Sequence, residues 1–230
     1  MARHLAIGDI HGCINALESL VNFVGIQDDD TIVTLGDYVD RGPDSRGVVE
    51  FVIELSKRYN VVALRGNHEI MMLDSREKKG WYDAWLKYGG EETLLSYSSS
   101  TTTSPSFESV PDSHIDFLAN DLVAYFESDT HFFVHANADP QVALPEQSDA
   151  ALYWKKYGDP DPHFSGKVMV CGHTTQLSGL PSSNDHSICI DTWVYGDGWL
   201  TCLDVDTGTL WQANESGSTR MLEPAEFRSG

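Results

Sequence analysis

The 230-residue chain carries 15 Lys and Arg against 35 Asp and Glu, a formal net charge of −20 at pH 7. Such a field repels phosphate backbones and anionic lipid, which sets nucleic acid and membrane surfaces aside as partners. With 41% apolar residues, no apolar run near the roughly 18 residues of a membrane span, and a first apolar segment too short for a secretory signal, a cytoplasmic globular protein is expected. One domain is expected over residues 1–213, with 214–230 as an aperiodic C-terminal tail. Cys13, Cys171, Cys189 and Cys202 form no CxxC pair, and the expectation is buried, reduced thiols.

Residues 4–7 read as a first strand that ends at Gly8-Asp9. Ile14, Leu17, Leu20, Val21 and Val24 then recur at helical spacing, and Gly25 supplies a stop. A second strand over 31–35 delivers Gly36-Asp37-Tyr38-Val39-Asp40-Arg41-Gly42. A helix is expected over 45–59, and a third strand over 61–64 ends at Gly66-Asn67-His68-Glu69. The first half is therefore β-α-β-α-β with a polar cluster at the carboxyl end of every strand, where loops of open α/β sheets converge on a crevice. Residues 70–97 look helical, 98–105 form a Ser/Thr-rich loop, and 112–120 suggest another short helix. Strands are expected at 123–126, 131–134, 167–171, 187–190, 200–203 and 209–212, with a short helix or turn at 150–157. His135 and His173 each stand directly after one of these apolar runs or one residue beyond it.

Packing alone does not account for these clusters. Asp9 and His11 project from one loop, Asp37 comes from the next strand end, Asn67 offers an amide oxygen, and His135 and His173 offer imidazoles. Six oxygen and nitrogen donors without a thiolate suit hard or borderline divalent ions: manganese first, with iron or zinc as alternatives. The set is too large for one tetrahedral ion and matches two ions sharing a carboxylate. Two such ions, roughly 3.5–4 Å apart, can hold a bridging hydroxide and clamp a phosphoryl group. No GxSxG elbow and no GxxxxGK[ST] loop competes. Asp204-Val205-Asp206-Thr207-Gly208 faintly suggests a calcium loop, but its glycine is out of place and a turn between strands is expected.

In this order, GDxHG, GDxVDRG, GNHE, a later His-Ala and a later Gly-His-Thr resemble the PPP family of metal-dependent phosphoprotein phosphatases, above all its small prokaryotic and phage members. The likeness runs over roughly residues 5–205. It implies a calcineurin-like metallophosphoesterase fold of class α/β: central sheets in a β-sandwich, flanked by helices, with a dinuclear metal site at the strand ends. It also implies Asp9, His11 and Asp37 on the first ion, and Asp37, Asn67, His135 and His173 on the second. His68 matches the general acid that protonates the leaving alkoxide, Asp40 the carboxylate that orients it, and Arg41 the arginine that grips phosphate. A second phosphate-gripping arginine, which many members carry shortly after a Trp, is missing. Trp154 is followed by Lys155-Lys156, and Lys156 is the expected substitute.

The resemblance implies hydrolysis of phosphoserine and phosphothreonine monoesters in proteins or peptides, with phosphotyrosine as a further candidate. The rival is a dinucleoside polyphosphate hydrolase on the same fold. Those relatives usually show Lys where Arg41 stands and Asp where Glu69 stands, which favours the phosphatase. A non-catalytic metal-binding module is disfavoured by the intact ligand and acid set.

Overall fold

The computed structural model describes residues 2–78, 80–98 and 106–223. Strand β1 (His4–Ile7), helix α1 (Ile14–Val24), β2 (Thr31–Thr34), α2 (Ser45–Arg58) and β3 (Asn60–Ala63) build the expected βαβαβ unit. The three strands are parallel, with His4 opposite Thr31 and Thr31 opposite Asn60. Helix α2 starts where the Asp44 carboxylate accepts the Gly47 N–H at 2.8 Å. The period of two along β1 decides which layer each residue joins. Leu5 and Ile7 pack against the helices, whereas Ala6 faces a second sheet.

The helical segment differs from its expectation. Instead of one helix over 70–97, the chain forms α3 (Asn67–Glu77), then α4 (Tyr82–Trp85) running into a π-helical turn, Leu86–Gly90, and then α5 (Glu91–Tyr97). The break at the end of the π-helical turn falls at Gly89, whose φ of 111° a side chain disfavours. The Ser/Thr-rich stretch at 99–105 lies outside the described residues. Helix α6 (Asp112–Asp116) and a π-helical turn, Phe117–Asp121, take the place of the expected helix over 112–120.

The second half supplies β4 (Tyr125–Glu127), β5 (His131–Val134), β6 (Val168–Cys171), β7 (Ser182–Asn184), β8 (Ser187–Cys189), β9 (Leu200–Asp204), β10 (Leu210–Ala213) and β11 (Thr219–Leu222). One sheet runs β11-β10-β9-β1-β2-β3 and the other β4-β5-β6-β8-β7. They face each other across Ala6, Val33, Leu35, Phe133, Val170, Ile188 and Leu203, so the fold is a β-sandwich with helices outside. Residues 214–230, expected as a tail, are corrected in part. Thr219–Leu222 pairs antiparallel with β10 as an edge strand, and 224–230 lie outside the described residues. The Asp204 carboxylate accepts the Asp206 N–H and the Thr207 hydroxyl, shaping the β9–β10 turn rather than a calcium loop. All four cysteines are free and buried. Among the described residues no helix is long and apolar enough to cross a membrane.

Candidate dinuclear metal centre

Asp9 and His11 follow β1, Asp37 follows β2, and Asn67 with His68 follow β3. His135 follows β5 and His173 follows β6, so strand ends of both sheets deliver His11, Asp37, His68, His135 and His173 to one place, with Asp9 outside these donor groups but bonded to the His173 backbone. The loops that carry them are bent to do so. Among the described residues six non-glycines have positive φ, and five are candidate site residues: His11 at 45°, Asp37 at 53°, Asp40 at 74°, Arg41 at 71° and His173 at 62°. Backbone in that region costs on the order of 1–3 kcal/mol per residue and persists where surrounding contacts fix it. The main fixing contact is Glu69. Its buried carboxylate accepts the N–H groups of Gly66 and Asp37 at 2.9 Å and of Tyr38 at 2.8 Å, sewing the second and third strand ends together. Gly66 lies so close to Asp37 that a β-carbon there would overlap the carboxylate.

Two groups of donors result, His11 with Asp37 and His68, and Asp37 with His135 and His173; within each group the donor atoms lie inside 4.8 Å of one another. Asp37 belongs to both. His11 Nε2 stands 3.4 Å from Asp37 Oδ2, and His135 Nε2 stands 3.4 Å from Asp37 Oδ1. The tautomers follow from the outer hydrogen bonds. His11 Nδ1 donates to Val39 O at 2.9 Å, His135 Nδ1 to Leu35 O at 2.8 Å, and His173 Nε2 to Trp154 O at 3.3 Å. The remaining nitrogens therefore present lone pairs inward. His135 Nε2 and His173 Nδ1 both meet Asn67 Oδ1 at 2.9 Å, three acceptors converging with no proton to share. Such a convergence is repulsive unless a cation joins it, and oxygen and nitrogen donors of this kind fit a divalent ion. Asp9 is held on the other side, its carboxylate accepting the His173 N–H at 2.9 Å.

Protonation separates the histidines by role. Burial, with the charge of His68, pushes His11 well below the ordinary imidazole range. Burial likewise lowers His135, and burial with His135 nearby lowers His173 to about 4. All three are thus held in the neutral form that binds metals. His68 goes the other way. Burial opposes its charge, but the Asp37 and Asp40 carboxylates outweigh burial and raise it. Asp37 is also buried, yet the imidazoles of His135, His68, His11 and His173 pull its pKa below the usual carboxylate range. Asp9 is raised well above that range by burial and by the charges of Asp191 and Asp37.

His68 Nδ1 donates to Asp40 Oδ2 at 2.7 Å, which turns Nε2 toward the cluster, 4.0 Å from Asp37 Oδ2. Arg41 Nη1 donates to His11 Nε2 at 2.7 Å, and its guanidinium carbon lies 4.6 Å from the centre of the Tyr195 ring. A cavity of about 680 Å³ opens over Arg41, Asn67, His68 and His173. Trp154 lines it, but Lys156 does not; its backbone carbonyl accepts the Asn137 side chain instead. Four contributors were not foreseen: Trp85 and Thr93, both donating to Asp40, Tyr195 beneath Arg41, and Asp191. Asp191 carried a readable signal. It follows the apolar run of β8, the same cue that marks Asp9 and Asp37.

Two histidine and carboxylate groups pivoting on one buried aspartate, at the strand ends of a two-sheet sandwich, define a class: metal-dependent phosphoester hydrolases with a dinuclear divalent site. The chain belongs to the Metallophos family, the calcineurin-like phosphoesterases, whose model matches residues 2–198. Over 91 residues it is 38% identical to serine/threonine-protein phosphatase 1 of Salmonella typhimurium, covering 39% of this chain and 40% of that protein. Over 71 residues it is 38% identical to the symmetrical bis(5'-nucleosyl)-tetraphosphatase of Wigglesworthia glossinidia brevipalpis, covering 30% of this chain and 25% of that one. The matched stretches thus span less than half the length of either relative. The fold is shared with the crystal structure of a candidate diadenosine tetraphosphatase, at a TM-score of 0.66 and 20% identity over 96% of this chain and 93% of that one.

Proposed function

We propose that this phosphoester hydrolase is a phosphomonoesterase that removes phosphate from serine, threonine and tyrosine side chains of proteins or peptides. One observation carries the choice over dinucleoside polyphosphate hydrolysis. Among the described residues lining the cavity beside His68, Arg41 is the one guanidinium or ammonium, and the far wall is Ile70, Met71, Trp81, Tyr88 and Trp154 with the carboxylate of Asp74, which pairs with Lys78. A polyphosphate chain needs several cations along its length, and this wall is mainly apolar. Arg41 and Glu69, where dinucleotide hydrolases of this fold usually show Lys and Asp, agree with that reading.

Two divalent ions, manganese by preference, would be held by Asp9, His11 and Asp37 and by Asp37, Asn67, His135 and His173; when bound they supply an activated water and polarise the phosphoryl oxygens. The chain supplies the rest. Arg41 grips two phosphate oxygens with its planar fork, and Lys156, two residues past Trp154 and outside the residues that line the cavity, is the proposed second cation whose side chain would have to swing in. His68 holds a proton on Nε2 and gives it to the departing ester oxygen, while Asp40 keeps Nδ1 protonated and the ring aimed. The test is phosphate release by manganese-loaded protein from phosphoserine, phosphothreonine and phosphotyrosine peptides against cleavage of diadenosine tetraphosphate. Turnover of the peptides at tenfold or greater kcat/KM is expected; faster cleavage of the dinucleotide refutes the proposal.

A further inference from the structure

The cavity wall has more order than a phosphate site requires. Trp81, Tyr88 and Trp154 all line it and keep 50%, 58% and 44% of their surface exposed. Exposed aromatic rings gathered around one concave site mark a binding surface. Each ring also hangs on backbone that is keyed to a catalytic-site residue. Between Trp81 and Tyr88 in the chain, Trp85 turns inward, stacks on Phe107 with ring centres 5.2 Å apart, and donates to Asp40 at 2.9 Å. One residue past Tyr88, the Gly89 carbonyl accepts the Arg41 N–H at 3.3 Å. The Trp154 carbonyl accepts from His173 at 3.3 Å. Trp81 is steadied by Lys78, whose ammonium lies 5.8 Å from the ring centre and pairs with Asp74 at 2.7 Å. The backbone beside Tyr88 and at Trp154 is thus tied to Arg41 and His173, and the segment between Trp81 and Tyr88 to Asp40 through Trp85.

We propose that Trp81, Tyr88 and Trp154 form a ring-binding subsite that selects aryl phosphate monoesters, phosphotyrosine within a peptide, over alkyl ones. This rests on the phosphomonoesterase reading and narrows it. In an aryl ester the ring is bonded directly to the ester oxygen, so a phosphate gripped at Arg41 delivers the ring to the adjoining wall. A phosphoserine side chain has one methylene and leaves that wall unfilled. A nucleobase is set off from its phosphate by a ribose, whose hydroxyls would meet a wall that among the described residues has few polar groups, its carboxylate, Asp74, being already paired with Lys78. Stacking on such rings adds to simple burial of area, and each favourable ring pair corresponds to roughly three- to tenfold in affinity.

The experiment uses the full chain loaded with Mn²⁺ and one peptide sequence bearing either phosphotyrosine or phosphoserine. The intrinsic difference between the two leaving groups is the same for every variant, so a change in the ratio of kcat/KM isolates the wall. Trp81→Leu and Tyr88→Leu should each lower the phosphotyrosine-to-phosphoserine ratio by about three- to tenfold, mainly through KM. Binding of phenylphosphonate, which is not hydrolysed, should exceed that of methylphosphonate by tenfold or more in the wild type, and the double variant should erase the gap. Equal losses on both peptides together with equal binding of the two phosphonates overturn the subsite, as does a larger loss on AMP than on phosphotyrosine. Failure of the phosphomonoesterase reading looks different: neither peptide releases phosphate, whereas the phosphonate comparison still decides whether the rings bind an aryl group.

Discussion

Asp40 accepts the Nδ1 proton of His68 at 2.7 Å from a position sealed from solvent, with Trp85 Nε1 at 2.9 Å and Thr93 Oγ1 at 2.7 Å filling its other acceptor sites. A buried carboxylate so satisfied holds one imidazole orientation and favours its charged form. That pairing separates His68 from the three neutral histidines around it.

His68→Asn should therefore lower kcat on alkyl phosphate esters by roughly 10²–10⁴-fold, the usual range for a lost general acid, while metal content stays unchanged. The loss should shrink on 4-nitrophenyl phosphate, whose leaving group needs little protonation. Equal losses on both esters would remove His68 from the acid role.

Trp85→Phe keeps a ring against Phe107 and deletes one donor to Asp40. A hydrogen bond to a buried charged acceptor contributes about 1.5–3 kcal/mol, so chemical denaturation should show a loss of that order. The variant should fold and lose kcat on alkyl esters more than on the nitrophenyl ester. Unchanged stability would show that Thr93 and His68 satisfy Asp40 without it.

Asp191 sets a pH dependence in chelated protein. Burial, with the charge of Asp37 added and the bonds from Thr175 and Trp193 opposing, pushes it up to about 6. The folded state then binds this proton more tightly than the unfolded chain, whose ordinary value is 3.8. The resulting stability is complete below the unfolded pKa and is lost as pH rises through about 6. Thermal melts in chelator should fall between pH 4 and 7, by on the order of 3 kcal/mol from this group. Asp191→Asn should reduce the fall, the raised Glu69 and Asp9 carboxylates supplying the rest, and an unaltered pH profile in that variant would contradict the assignment.

Lys156→Ala should raise KM a few-fold and lower kcat/KM, and Lys156→Arg should retain or improve both, since a guanidinium grips two phosphate oxygens. Lys155→Ala should change little. Wild-type kinetics in Lys156→Ala would leave Arg41 as the chain's own phosphate-binding cation.

The strand-end cues made most of the centre legible. Strands His4–Ile7 and His131–Val134 lie where the short apolar runs put them, and His11, Asp37, His68, His135 and His173, from the loops after β1, β2, β3, β5 and β6, gather in two donor groups. What escaped has a physical reason in each case. Ser182–Asn184 and Thr219–Leu222 are short edge strands with few buried side chains, so no apolar period announces them. A single helix over 70–97 fails at Gly89, where the backbone leaves the helical region. Trp85 and Thr93 reach Asp40 across 45 and 53 residues of sequence, a distance over which residue pattern carries no contact information. Asp191 stands two residues past β8, much as Asp37 stands three past β2, but no glycine-bracketed motif surrounds it.

Most of this depends on Asp37 as the carboxylate common to two ions. The direct measurement is metal content and 4-nitrophenyl phosphate turnover of the same preparation, stripped with chelator and then titrated with Mn²⁺, for wild type and Asp37→Asn. No turnover is expected when stripped, with recovery saturating at two ions per chain, and Asp37→Asn should lose tight binding of both ions together with activity. Turnover by demonstrably metal-free protein, or saturation of activity at a single ion with Asp37→Asn still fully loaded, would contradict it.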